Sequence, residues 1–78
     1  MDTVPTPEMS AKLILSIFKA HRVRVGEILM KATVNQEFRL EGGRPADYGD
    51  GLECAVKQGW ITIEPTMLRL TKAGFAAM

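Results

Sequence analysis

The sequence has very few of the residues that cross-link small proteins or hold metals. Cys54 is the only cysteine and His21 the only histidine among 78 residues. One cysteine cannot form an internal disulfide, and these two residues cannot supply the four ligands of a structural zinc site. We therefore expect a fold held by its apolar core, with no metal and no cofactor.

Long apolar runs and a secretory leader are also missing. The longest unbroken run of large aliphatic residues is Leu13 to Leu15, and the first nine residues contain no lysine or arginine. A membrane span needs about 20 apolar residues, and a signal peptide begins with basic ones. These absences predict no membrane partner and a cytoplasmic location.

Excess charge of one sign is absent as well. Ten basic residues stand against nine acidic ones, a net charge of +1, whereas a dedicated nucleic-acid-binding domain is usually far more basic. The length suits one domain, and an apolar content of 46% is too high for a disordered chain. Residues 1–7 are predicted to be a flexible leader and residues 8–78 a single domain.

Helical spacing begins at Glu8 and predicts a first helix from about Pro7 to His21. This helix is apolar over more than the one stripe that a surface helix needs, since Ala11, Leu15 and Phe18 widen it. Either Leu15 is a harmless exposed leucine, or these three residues form the interface of a homodimer.

The middle of the chain predicts a short extended segment and two helices. Val23–Met30 alternates around a glycine and fits a turn and a short strand. A capping box of Thr33 and Gln36 predicts a second helix over residues 34–40. Pro45 suits the first position of a third helix that ends at Gly59, although a start at Asp50 is an alternative.

After Gly59 the apolar period changes from 3.6 to 2. Trp60–Glu64 and Met67–Leu70 predict a two-stranded hairpin, and Thr71 can cap a last helical segment, Lys72–Ala77, anchored by Phe75. The predicted core combines the inward positions of all these elements: Leu13, Ile14, Ile17, Phe18, Ile28, Val34, Phe38, Tyr48, Leu52, Ala55, Val56, Trp60, Ile61, Ile63, Leu68, Leu70 and Phe75.

Two segments resemble the winged helix-turn-helix family. The run GLECAVKQGWI (51–61) is similar to the end of that family's third helix entering the wing, and LTKAGF (70–75) is similar to the segment after the second wing strand. The resemblance implies an α+β fold with a three-helix core, a two-stranded antiparallel wing and a short C-terminal helix. It also implies a DNA-binding module of transcription-regulator type, with the third helix in the major groove.

The charge distribution argues against that implied function. Residues 45–66 contain four acids and one lysine, a net charge of −3, and the rest of the chain carries +4. Phosphate contacts require positive charge. The predicted contacts to double-stranded DNA are Arg39, Arg44, Lys57 and Arg69, and we expect such binding to be weak or dimer-dependent. The alternative is a non-enzymatic protein-interaction or homodimerisation module that does not bind DNA.

No catalytic constellation is visible in the sequence. His21 has no neighbouring nucleophile or acid to orient it, and we interpret it as the cationic end of the first helix. Cys54 has no adjacent basic cluster to activate it, and Trp60 is expected to pack under the wing. We therefore predict no enzymatic activity.

Overall fold

The structure of the protein, a computed structural model, describes residues 6–78. It contains four helices and three strands in the order predicted from the sequence, with one strand more than the predicted hairpin. They are α1 (Pro7–Ala20), β1 (Ile28–Met30), α2 (Lys31–Leu40), α3 (Pro45–Lys57), β2 (Ile61–Ile63), β3 (Met67–Leu70) and α4 (Lys72–Ala77).

The three strands form one antiparallel sheet in the order β1-β3-β2. Strands β2 and β3 with their turn are the wing, and β1 adds to the other side of β3, where Leu29 pairs with Leu68. The architecture is therefore the predicted α+β winged helix-turn-helix, with a third strand in its sheet. Val23–Met30, predicted to be a turn and a short strand, ends in the strand Ile28–Met30, which confirms the prediction.

Helix α1 begins earlier than the leader prediction allows. The Thr6 hydroxyl accepts a hydrogen bond from the Met9 amide at 3.1 Å, and Pro7 is the first helical residue. A threonine N-cap followed by proline is a favoured helix start. The predicted leader thus overlaps the helix start, which helical spacing had placed at about Pro7, and residues 1–5 lie outside the described part of the chain.

Helix α2 begins at Lys31, so the predicted capping box of Thr33 and Gln36 does not start it. Its N-cap, Met30, makes no side-chain cap. The Lys31 amide instead donates to the Thr66 carbonyl oxygen at 3.0 Å, which joins the start of α2 to the wing turn. A long-range backbone bond here replaces the local side-chain cap.

Helix α3 starts at Pro45, as preferred from the sequence, and crosses close to α1. A Cβ atom added at Gly51 would lie 2.7 Å from the Ser10 Cβ. This glycine therefore permits the α1–α3 contact, although it lowers intrinsic helix propensity. Helix α4 follows as predicted, with the Gly74 amide donating to Thr71 Oγ1 at 3.0 Å.

The core surrounds α1, which is packed on more than one side. Nine predicted core residues are buried: Ile14, Ile17, Phe18, Val34, Phe38, Ala55, Ile61, Leu68 and Leu70. Ala11, Leu15 and Val23 join them, and Leu13, Tyr48, Leu52 and Trp60 are partly buried. The wide apolar surface of α1 is thus that of a central helix.

Four predicted core residues are exposed: Ile28, Val56, Ile63 and Phe75. Ile28 lies opposite Arg69 on the outer face of the sheet, and Ile63 ends an edge strand. Val56 follows the buried Ala55 and is therefore rotated away from the core. Helix α4 docks through Gly74, where an added Cβ would lie 2.1 Å from the Trp60 carbonyl oxygen, so Phe75 points elsewhere.

Candidate functional site

Arg44 stands at the start of α3 as the N-cap residue of the helix. Its guanidinium donates to both carboxylate oxygens of Asp47, with Nε–Oδ2 at 2.6 Å and Nη2–Oδ1 at 3.3 Å. This hydrogen bond and the charge of Asp47 raise the pKa of Arg44. Both planar groups are thus satisfied by each other in a bidentate pair.

Lys57 lies in the last turn of α3, one turn after Glu53. Its Nζ is 3.3 Å from Glu53 Oε1, and both side chains are exposed. Arg44 and Lys57 occupy opposite ends of the helix, about 20 Å apart along its axis. Asp47, Asp50 and Glu53 lie between these cations in the sequence of α3.

Arg69 occupies the central strand of the sheet, on its outer face. Its guanidinium bonds Glu64 of the wing turn at 3.2 Å and donates to the Gly26 carbonyl oxygen at 2.5 Å. It therefore joins the wing to the loop before β1. The phosphate-contact prediction for Arg69 remains untested, but the residue has a structural function that accounts for its position.

Arg39 differs from the other three predicted contacts. It lies exposed in the last turn of α2 and makes no ion pair with any residue in the range 6–78. We name the exposed side of α3 and the wing, with Arg44 and Arg69 at its margins, the α3–wing face. On this face each of the three predicted cations is paired with an acid.

The predicted homodimer interface is wrong in its residues. Ala11, Leu15 and Phe18 are 0%, 2% and 0% exposed, because they pack in the core of the single chain. Side chains that are fully buried in the monomer cannot contact a partner without unfolding α1. Neither interpretation of Leu15 was correct, since it is neither exposed nor part of an external contact.

A second surface, which the sequence analysis did not predict, lies where α1 ends beside α4. We name it the basic groove, an open hollow of about 430 Å³ lined by Lys19, Arg22, Val23, Arg24, Phe75 and Met78. No acid lines it. Phe75 is 48% exposed here. The three cations are close in sequence, but only the fold places the last helix beside them.

Arg22 has a backbone conformation that is unusual for its residue type. Its φ is +55°, and it is the only residue other than glycine with positive φ among those described. The Arg22 amide donates to the Lys19 carbonyl, and the Val23 amide donates to the Phe18 carbonyl. These two bonds form a Schellman motif, in which the residue at the Arg22 position is usually glycine.

The other residues considered in the sequence analysis, His21, Cys54 and Trp60, contact neighbouring parts of the fold. His21 contacts the carboxylate of Glu37, which ties the end of α1 to α2. Cys54 is a partly buried free thiol, and Trp60 packs against the core at the start of the wing. No group of three potential metal ligands occurs among the residues described.

No helix in the described part of the chain is long and apolar enough to cross a membrane. Comparison of the chain with protein-family models, with curated proteins and with solved structures gave no match.

Proposed function

We propose that the protein is a non-enzymatic winged-helix module that binds another protein and does not use its α3–wing face to hold DNA. The observation that carries this proposal is the pairing of Arg44, Lys57 and Arg69 with acids of the same face. A cytoplasmic location belongs to the proposal.

The net charge of the face matters more than the strength of its ion pairs. Exposed pairs contribute only about 0–1 kcal/mol, so a phosphate could take a cation from its acid at small cost. The acid would then remain close to the DNA backbone. The four acids of residues 45–66 outnumber the three cations of the face, so docking α3 into a groove would place a net negative charge against a dense row of phosphates.

Titration of a labelled random-sequence 20-base-pair duplex with the purified protein at several salt concentrations tests the proposal. We expect no saturable increase in fluorescence anisotropy, even at low salt. Saturable binding that weakens steeply with salt, and whose salt dependence is reduced in Lys57→Gln, would overturn it, because that result places phosphates on α3. Lys12→Gln is the matched control, since Lys12 also pairs with an acid one helical turn away.

DNA binding of the transcription-regulator type is the second candidate. Two observations favour it: the winged-helix architecture itself, and the exposed, unpaired Arg39 on the helix before α3. In this candidate Arg39 and Arg44 contact phosphates beside the groove. Arg39→Gln would then lower the slope of log affinity against log salt by about 0.9. An unchanged slope in that variant removes Arg39 from the interface.

A further inference from the structure

We propose that the basic groove is the docking site for an acidic segment of a partner protein, which inserts an apolar side chain between carboxylates. This inference rests on the proposed function and assigns its surface and the chemistry of its partner. The supporting observations are an apolar floor, a rim of unpaired cations, and a strained arginine that contributes to that rim.

The floor of the groove is apolar, and Phe75 is its exposed residue. Val23, which is buried, and Met78 also line it, and the volume of about 430 Å³ exceeds that of one large side chain. Phe75 is the exposed aromatic residue of α4 because Gly74 is the residue that docks the helix. An exposed aromatic ring in a concave site is the kind of surface that accepts an apolar anchor from a partner.

The rim of the groove has charge of one sign. Lys19, Arg22 and Arg24 line it, and none forms an ion pair with another described residue. The four lysines and arginines that are paired lie elsewhere, on α1, α3 and β3 and before α3. Charge complementarity therefore selects an acidic partner segment for this groove.

The position of Arg22 supports a role in binding. Helices α2 and α3 end with the same pair of backbone hydrogen bonds as α1, and there the residue with positive φ is Gly42 or Gly59. Only α1 has a side chain at that position, where a Cβ atom is unfavourable. The Arg22 side chain makes no ion pair with another described residue and lines the groove, so the disfavoured conformation supports a functional role for the guanidinium there.

The rim is also ordered before a partner arrives. The Arg24 amide donates to Glu27 Oε1 at 2.7 Å, and the Gly26 amide donates to the Leu70 carbonyl at 2.8 Å. Arg69 binds the Gly26 carbonyl from the same strand. The loop that carries Arg22 and Arg24 is thus fixed to β3, which lowers the entropy lost on binding.

A short acidic peptide can contact both parts of this site. The three cations lie within residues 19–24, and Phe75 and Met78 at the end of α4 lie beside them. One inserted aromatic or aliphatic side chain, with carboxylates on either side, satisfies both features together.

The test uses a fluorescein-labelled eight-residue peptide, Glu-Asp-Glu-Leu-Phe-Asp-Glu-Asp, titrated with the full chain and followed by anisotropy. We expect saturable binding that weakens with salt. Replacing the peptide's acids by their amides should abolish binding, and replacing its Leu-Phe by Ser-Ser should weaken it at least fivefold. Equal binding of the amide peptide would overturn the charge argument, and equal binding of the serine peptide would overturn the apolar anchor.

The decisive variant is Arg22→Gly, with Arg39→Gln as the matched loss of one unpaired positive charge on α2. Arg22→Gly should weaken peptide binding at least fivefold while raising Tm by a few degrees, since glycine suits its backbone angle. Arg39→Gln should change the affinity less than twofold. Equal weakening in both variants would indicate attraction to overall charge and would overturn the assignment of the groove.

Two further outcomes identify other occupants and would also overturn the proposal. Competition by single-stranded DNA at concentrations below the peptide's Kd would assign the groove to a nucleic acid. Self-association in sedimentation equilibrium that is lost in Arg22→Gly would assign it to a second copy. The proposed function fails separately, when duplex DNA binds and Lys57→Gln reduces its salt dependence, whatever the peptide does.

Discussion

The α3–wing face and the basic groove both contain three cations, but these cations are paired with acids on the first surface and, among the described residues, unpaired on the second. On the α3–wing face Arg44, Lys57 and Arg69 are each bound to an acid. No acidic side chain among residues 6–78 lines the groove, and its three cations lie beside apolar residues. The number of basic residues near a surface is therefore a poor guide to what it binds, since the position of the acids decides how much positive potential remains.

The largest expected effect comes from disturbing the helix that forms one wall of the groove. Gly74→Ala places a Cβ atom where the Trp60 carbonyl oxygen is only 2.1 Å away, so α4 must move. We expect a loss of about 1–3 kcal/mol in the free energy of unfolding and at least tenfold weaker peptide binding. Urea unfolding and the peptide titration measure the two effects.

The matched control for this change is an alanine on α3. Gly49→Ala meets no atom within 4 Å and lies inside a helix, so it should stabilise the protein by about 1 kcal/mol and leave peptide binding unchanged. If both alanine variants weaken peptide binding equally, the site does not depend on α4, and the contrast between the two surfaces is incorrect.

The second prediction attempts to make the α3–wing face resemble the groove. The triple variant Asp47→Asn, Glu53→Gln and Glu64→Gln removes the paired acids but keeps hydrogen-bonding groups of similar shape. Residues 45–66 then carry no net charge. We expect saturable, salt-dependent binding of duplex DNA to appear in anisotropy titrations at low salt, where the native chain shows none.

A control variant with the same change in total charge separates the effect of where the acids lie from the effect of how many are removed. Glu8→Gln, Glu37→Gln and Glu41→Gln also remove three acids, but none of them lies on the α3–wing face. This variant should gain much less DNA affinity. An equal gain in both triple variants would mean that the location of the acids has no effect on DNA binding.

The third prediction compares the ends of the helices. Arg22→Gly should increase the free energy of unfolding by about 0.5–1 kcal/mol, and Gly42→Arg should decrease it by a similar amount. A Cβ atom at Gly42 would meet no other atom within 4 Å, so only the unfavourable backbone conformation should destabilise Gly42→Arg. Thermal and urea unfolding should give opposite signs. A destabilised Arg22→Gly would show that the Arg22 side chain has a stabilising contact and would remove the strain argument.

Local signals in the sequence predicted most elements of the fold. Pro45 marked the start of α3, Thr71 capped α4, and the change of period after Gly59 indicated the wing. The start of α2 was mispredicted because its first amide is satisfied by the Thr66 carbonyl of a distant turn. Burial of Leu15 likewise depends on packing around all of α1, which helical spacing alone does not define.

The two surfaces differed in how far the sequence could define them. The Arg44–Asp47 and Glu53–Lys57 pairs lie three and four residues apart along α3 and its N-cap, so their spacing could have indicated them, although the sequence analysis did not pair these residues. The Arg69–Gly26 bond spans 43 residues, and the groove joins the end of α1 to α4. Phe75 was assigned to the core because an aromatic residue on a short helix is usually its anchor. In the structure α4 is instead anchored by the close approach of Gly74 to the Trp60 carbonyl oxygen.

The smallest expected effect concerns the ion pairs themselves. Glu53→Gln on α3 and Glu8→Gln on α1 each remove one exposed pair between a glutamate and the lysine four residues later. Each should cost about 0.3–0.5 kcal/mol in urea unfolding at low salt, and both costs should decrease as salt is added. If Glu53→Gln lowers the free energy of unfolding several times more than Glu8→Gln does, Glu53 stabilises the fold through contacts other than that with Lys57. The DNA affinity of the triple variant would then reflect a loss of stability as well as a change of charge. Equal small costs instead mean that the acids of α3 contribute little to folding, so that their main effect is on the electrostatic potential of the α3–wing face.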